Sequence, residues 1–92
     1  MTNVYMWIWI DDDDRVREIL MAGRDTVEEA REELLDWLLN DDTFYDEIVK
    51  SDEAPTDLKD RLRIRRESIH KLLLEEPTFK GDGSEFQRRY HF

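Results

Sequence analysis

The chain has no cysteine among its 92 residues. This absence excludes a disulfide framework and a thiolate metal site. A long hydrophobic run is also missing, because the apolar stretch Val4–Ile10 spans only seven residues. A stretch of that length is too short for a membrane span, and no basic residue precedes it as in a signal peptide. We therefore expect a soluble, cytoplasmic protein that does not bind membranes.

A catalytic set is missing as well. The two histidines, His70 and His91, stand alone, and the serines lie in ordinary contexts. No nucleophile, base and orienting group can be assembled from them. We expect neither enzyme activity nor a cofactor.

The run of four aspartates at 11–14 offers oxygen ligands that would suit a divalent cation. The spacing of an EF-hand fails, however, because Val16 occupies the sixth position, where that loop needs glycine. We assign no metal site and interpret the run as the polar tip of a hairpin, with a contribution to partner recognition or a weak cation site as the alternatives. The four residues are Asp11, Asp12, Asp13 and Asp14.

Composition alone leans towards disorder, since charged residues make up 41% of the chain and hydrophobic residues 39%. The apolar residues are nevertheless clustered, at Val4–Ile10, Leu34–Leu39 and Leu72–Leu74, densely enough to form a core. A chain this short builds one core, so we predict a single folded domain over residues 1–92.

The pattern of residues predicts an α+β fold. Val4–Ile10 is rich in β-branched and aromatic residues and indicates a strand, with a second strand returning over 15–22 and Gly23 at its exit. The spacing of Thr26 and Glu29 is that of a capping box, which opens a helix that runs to about Leu39. We expect a short helix from Thr43, capped by the preceding 40–42 segment.

The second half of the chain is harder to interpret. Residues 57–75 are mostly helix formers and Pro77 would end the helix, but 61–65 alternate with period 2, so a short strand is the alternative there. A turn at 81–83 would separate 78–80 from a terminal strand at 85–92. The complete prediction is an N-terminal β-hairpin, two to three packed α-helices and a C-terminal strand or hairpin.

Charge is divided unevenly along the chain. Residues 1–53 hold 17 acidic against 5 basic residues, a net of −12, whereas residues 54–92 hold 7 against 9, a net of +2. A field this negative repels nucleic acid and attracts basic protein surfaces. We expect the arginine-rich stretch at 59–66 to lie partly against the acidic half, with no direct nucleic-acid binding.

The predicted helix carries the densest part of this charge. Five carboxylates at offsets 0, 1, 4, 5 and 8 share one helical face over about 12 Å, or about one per 2.4 Å. Duplex DNA has about one charge per 1.7 Å of axis. The face is either a solvated surface or a site for a basic partner, extended by Asp41 and Asp42. Its residues are Glu28, Glu29, Glu32, Glu33 and Asp36.

The first strand has one aliphatic face and one aromatic face, the latter formed by Tyr5, Trp7 and Trp9. An aromatic patch of this size is rarely left exposed in a monomer. Either helices cover both faces of the sheet, or one face meets a partner or a second copy. The protein could therefore be a monomer or a homodimer that self-associates through these aromatic residues.

The segment Arg24-Asp25-Thr26-Val27-Glu28-Glu29-Ala30, after a strand, an acidic turn and a strand, resembles HicB-type antitoxins over about residues 4–39. The Pro-Gly segment of that family is missing, and no functional residue is carried over. In size and acidity the chain also resembles phage-encoded inhibitors such as anti-CRISPR proteins. The leading hypothesis is a non-enzymatic inhibitor that occupies a basic cleft of a nucleic-acid-handling protein, and the alternative is an assembly protein.

Overall fold

The computed structural model describes residues 2–82, which form an α+β fold. Strands β1 (Asn3–Ile10) and β2 (Val16–Arg24) form the predicted antiparallel hairpin. Strand β3 (Phe79–Asp82) pairs antiparallel with the other side of β1, which gives the order β2-β1-β3. The segment predicted as a strand at 85–92 lies outside the described residues.

The hairpin turn is built by Asp11. Its Oδ1 accepts the backbone N–H groups of Asp13 and Arg15, both at 2.9 Å, and its Oδ2 accepts Arg17 Nε at 2.6 Å. Asp14 completes the turn at φ 60°, a left-handed conformation that aspartate tolerates better than most residues. The aspartate run therefore forms the predicted hairpin tip.

Helix α1 (Val27–Asp36) continues into a π-helical turn (Trp37–Asp41) and is followed by α2 (Thr43–Lys50) and α3 (Thr56–Leu73). Residues 61–65 are helical, so the alternative of a strand there is wrong. The reason is the seven-residue and four-residue spacing of Leu62, Ile69 and Leu73, which places all three on the buried side of α3.

Two glycine-based predictions are wrong. Gly23 lies within β2 opposite Val4, and the turn expected from Gly81 is instead part of β3, where Gly81 also pairs with Val4. Gly81 exchanges backbone hydrogen bonds with Val4, and Gly23 lies between Ala22 and Arg24, which are both paired with β1, so strand pairing outweighs the local preference of glycine for turns. Helix α3 ends at Leu73, so it stops before Pro77 rather than at it.

The main core lies between the sheet and the helices. Trp7 and Leu20, paired across β1 and β2, pack with Leu34 of α1 and Ile69 of α3. Trp7 is fully buried, and its Nε1 donates to the backbone oxygen of Glu75 at 3.1 Å. Helix α1 packs over β2 and α3 packs over β1, so the two helices cover different strands of the sheet.

The opposite face of the sheet is aliphatic. Met6 and Phe79 form a small buried cluster there. At the β2 side of this face the side chains of Val16, Ile19 and Met21 stay about half exposed, at 57%, 53% and 47%. Within residues 2–82, the helices therefore cover the aromatic face of β1.

Candidate partner-binding surface

The five carboxylates predicted on α1 are all exposed. We call this set, defined above as Glu28, Glu29, Glu32, Glu33 and Asp36, the acidic face of α1. Arg24, at the end of β2, donates to Glu33 from both Nε and Nη2, with 3.1 Å for the Nε bond. In the described part of the chain, this is the one ion pair that reaches the acidic face.

The start of α1 supports the negative charge that it carries. Thr26 caps the helix, with its Oγ1 accepting the Glu29 N–H at 3.2 Å and donating to Glu29 Oε1 at 3.0 Å. Glu28 and Glu29 lie in the first turn, where the positive end of the helix dipole stabilises carboxylates. The last turn has no basic residue. The carboxylate of Asp36 accepts instead from the Asn40 amide at 2.7 Å.

The arginine-rich stretch does not neutralise this face. Arg65 pairs with Glu18 at 2.6 Å, and Arg63 pairs with Asp60 on its own helix at 3.2 Å. Arg66 lies over the ring of Tyr45 at 4.0 Å and donates to the Leu38 carbonyl, with 3.1 Å from Nε. Arg65 and Arg66 therefore contact the acidic half as expected, but they join α3 to β2, the π-helical turn and α2, and they leave the acidic face of α1 charged.

Arg31 also binds backbone carbonyls and not the acidic face of α1. It lies on α1 but on the flank opposite Glu33, and its Nε donates to the Leu73 carbonyl at 2.6 Å. Its Nη2 reaches the Glu75 carbonyl at 3.3 Å. A guanidinium at the C-terminus of α3 stabilises the free carbonyls and the negative end of that helix dipole.

The charges around Arg24 perturb its pKa. The hydrogen bond to Glu33 raises the pKa of Arg24, and the negative charges of Glu33, Glu29 and Asp25 raise it further. Arg24, Glu29, Glu32, Glu33 and Asp36 together line a shallow open groove between β2 and α1. The groove is a negative surface with a single cation at its rim.

Two of the predicted partner-binding aspartates have structural roles instead. Asp42 is buried, at 7% exposure, and its Oδ1 accepts the Tyr45 N–H at 3.3 Å as the N-cap of α2. Its Oδ2 lies 3.7 Å from Arg65 Nη1. Asp11 is half-buried in the hairpin turn, and the backbone N–H of Arg15 lowers the pKa of its carboxyl. Neither carboxylate is available as a free surface charge.

The other predicted aspartates are exposed but do not join α1 in one continuous face. Asp12, Asp13 and Asp14 lie at the hairpin tip, and Asp41 ends the π-helical turn. Within residues 2–82, no group of three or more potential metal ligands is arranged around a common point. In the same part of the chain, no helix is long and apolar enough to cross a membrane.

The aromatic face of β1 is covered within the chain. Tyr5 is 2% exposed and Trp7 is fully buried, while Trp9 is partly buried against the same core. Tyr5 and Trp7 are therefore core residues, which corrects the expectation that they could form an interface. The apolar residues left exposed on the sheet are Val16, Ile19 and Met21, which sequence reasoning did not single out. Only the strand pairing, which places them opposite Ile10, Ile8 and Met6, shows that these three residues share one face.

Comparison with protein-family models, curated proteins and solved structures finds no match to this chain. The resemblances described above therefore depend on the quoted residues and the physical profile alone. The acidic face of α1 is the exposed feature of the described residues that bears most directly on function.

Proposed function

We propose that the protein is a small, non-enzymatic inhibitor that binds a basic surface of a nucleic-acid-handling protein through the acidic face of α1. The supporting observation is that five exposed carboxylates lie within about 12 Å of helix and, within residues 2–82, form an ion pair with one arginine. That pair is itself about half exposed, at 46% and 43%, so solvent and salt screen it and it leaves the face largely available to a partner.

The cost of this arrangement also supports a role in binding. Like charges at i,i+4 spacing, such as Glu28–Glu32 and Glu32–Asp36, destabilise a helix by about 0.2–0.5 kcal/mol per pair. Ten arginines are present in the chain, yet five of those in the described residues bind carbonyl oxygens or carboxylates elsewhere, namely Arg17, Arg31, Arg63, Arg65 and Arg66. A spacing of charges close to that of a phosphate backbone suits a site that normally holds nucleic acid.

The test starts with affinity capture from a lysate at low and high salt, because exposed charge pairs are screened over about 8 Å at physiological ionic strength. Association kinetics with the captured partner then follow for a variant with Glu29, Glu32 and Glu33 replaced by lysine. We expect its on-rate to fall by about tenfold or more, because opposite fields steer the encounter. Duplex DNA should compete with the protein for the captured partner.

The matched control carries the same change of charge elsewhere, with lysine at Asp52, Glu53 and Asp57, all exposed and outside α1. Its on-rate should fall clearly less than that of the α1 variant. Equal on-rates for the wild type and the α1 variant would refute the electrostatic mechanism. Circular dichroism establishes that both variants keep the fold.

A further inference from the structure

The edge of the sheet formed by β2 carries a second feature that the proposed function does not use. The order β2-β1-β3 leaves β2 with a single strand neighbour in the described part of the chain. Edge strands are normally protected by proline, lysine or short length. β2 is nine residues long and has neither proline nor lysine. Its charged residues Arg17, Glu18 and Arg24 lie towards its two ends, and its bulge is near Arg17, next to the hairpin tip, so residues 19–23 between them are uncharged.

Hydrogen-bond direction in β1 shows which groups of β2 are open. The N–H of Ile8 donates to Thr78 Oγ1 at 3.1 Å, on the β3 side of β1. Backbone groups alternate in direction along a strand, so Trp7 directs its N–H and C=O towards β2, where it pairs with Leu20. Leu20 therefore uses its own backbone groups within the hairpin.

The neighbours of Leu20 follow from the same alternation. Ile19 and Met21, and Gly23 two residues further, direct their N–H and C=O groups outward to the open edge. The side chains of Ile19 and Met21 lie on the aliphatic face and are about half exposed. The edge thus offers backbone hydrogen bonds and an apolar surface on one side.

The helix side of this edge is negative. α1 packs over β2, and Arg31 points from α1 towards the end of α3, so the opposite flank of α1 overlooks the open edge. Glu33 lies on that flank, where it is reached by Arg24. Arg24 stands at an even-numbered position of β2, like Leu20, and so projects from the helix side of the strand. It shows that a guanidinium on the helix side of a strand can meet the acidic face.

We propose that the partner contributes an extended segment that adds antiparallel to β2 as a fourth strand, with alternating basic and aliphatic side chains. This inference rests on the proposed function and specifies the partner's binding element. The basic side chains would point to the helix side, towards Glu29, Glu33 and Asp36. The aliphatic side chains would extend the exposed surface of Ile19 and Met21. Main-chain hydrogen bonds supply affinity in this mode, and alternate side chains supply specificity.

A second copy of the chain that pairs antiparallel fits this edge poorly. In an antiparallel pair the outward-directed residues face each other, and in β2 these have odd numbers, so two copies would place both helices α1 on the same side of the joined sheet. Two acidic faces would then meet, in a protein whose net charge is already −10. The acidic face would attract a basic strand and repel an antiparallel second copy.

The test uses a synthetic peptide of eight residues with alternating arginine and valine, capped at both ends. Residues opposite Ile19 and Met21 must donate to β2, and in the proposed pose these are the valines. N-methylation of the valines should therefore weaken binding about tenfold or more, because it removes the bonds to the edge. N-methylation of the arginines, whose N–H groups point away from β2, is the matched control and should change binding by about twofold or less.

Hydrogen exchange measured by NMR gives an independent readout. In the free protein the amides of Ile19 and Met21 should exchange quickly, whereas that of Leu20 should be protected. Binding of the peptide should slow exchange at Ile19 and Met21. Neutralising Glu29, Glu33 and Asp36 as glutamine, glutamine and asparagine should weaken binding about tenfold. The corresponding neutral variant of Asp52, Glu53 and Asp57 should have a clearly smaller effect.

The outcomes separate the two proposals. If both methylated peptides bind equally well and the neutral α1 variant still binds weakly, strand addition is refuted and charge recognition stands. If the two neutral variants bind alike, charge recognition by α1 is refuted and this inference fails with it. Lack of peptide binding refutes strand addition alone. A free protein that is dimeric, with the Ile19 and Met21 amides already protected, would identify a second copy as the occupant.

Discussion

Asp42 provides a direct test of how the structure uses one of its acidic residues. The carboxylate is buried at the junction of the π-helical turn and α2. Its Oδ1 accepts the Tyr45 N–H, one of the free donors at the start of α2. Within residues 2–82 its Oδ2 has no hydrogen-bond partner, and it faces Arg65 Nη1 at 3.7 Å. Replacing Asp42 by alanine removes both interactions.

The expected loss follows from these two terms. Removing an N-cap costs about 0.5–2 kcal/mol, and a partly exposed ion pair adds about 0–1 kcal/mol. The ion-pair term is small here because Arg65 keeps Glu18 as a partner at 2.6 Å. We therefore expect Asp42→Ala to lower the free energy of unfolding by about 1–2 kcal/mol. In a domain of this size, each kcal/mol corresponds to about 4–8 °C of melting temperature.

Urea denaturation followed by circular dichroism measures this change. Asp42→Asn keeps a capping oxygen, and asparagine caps helices about as well as aspartate, so this variant should lose less than the alanine variant. Asp41→Ala is the matched control, because Asp41 is exposed and should change stability by less than about 0.5 kcal/mol. Equal losses at positions 41 and 42 would refute the capping role of Asp42.

Two further predictions follow from the core and the hairpin turn. Trp7→Ala should destabilise the fold by about 3–5 kcal/mol, because it leaves a cavity and removes one of the two donors to the Glu75 carbonyl. Calorimetry that shows a loss of less than about 1 kcal/mol would contradict this. The pKa of Asp11 is lowered, first by the Arg15 N–H and then by Arg17. The stabilisation that Asp11 gives the fold is therefore fully present above the ordinary pKa of 3.8, and it is lost as the pH falls through the lower pKa of the folded protein. The stability difference between wild type and Asp11→Ala should therefore be constant from about pH 7 to 5 and shrink below about pH 4. A difference independent of pH would contradict it.

Features whose causes lie within a few residues were predictable from sequence. The strand at Val4–Ile10 and the N-cap at Thr26 are both confirmed, because β-branched side chains and a hydroxyl three residues before a glutamate act locally. The short helix from Thr43 is also confirmed, because its N-cap, Asp42, is the residue directly before it in the sequence.

Features that depend on distant partners were not predictable. Asp42 belongs to an acidic cluster in sequence, yet it is buried by its contact with α3, 23 positions further along the chain, through Arg65. Gly81 looks like a turn residue until β1 offers it a strand partner at Val4. In both cases the deciding interaction joins segments whose approach is set by core packing rather than by local preference.

The sequence by itself determined the acidic face of α1, because helix geometry is local and converts the spacing of Glu28 to Asp36 into one exposed surface. Only the tertiary structure decided what lies next to that surface. Packing of α1 over β2, with Arg31 held at the end of α3, turns the flank that carries Glu33 towards the edge of β2 that has no strand neighbour within residues 2–82. Strand order and helix placement arise from burying Trp7 and its neighbours in one core, which is a property of the whole chain.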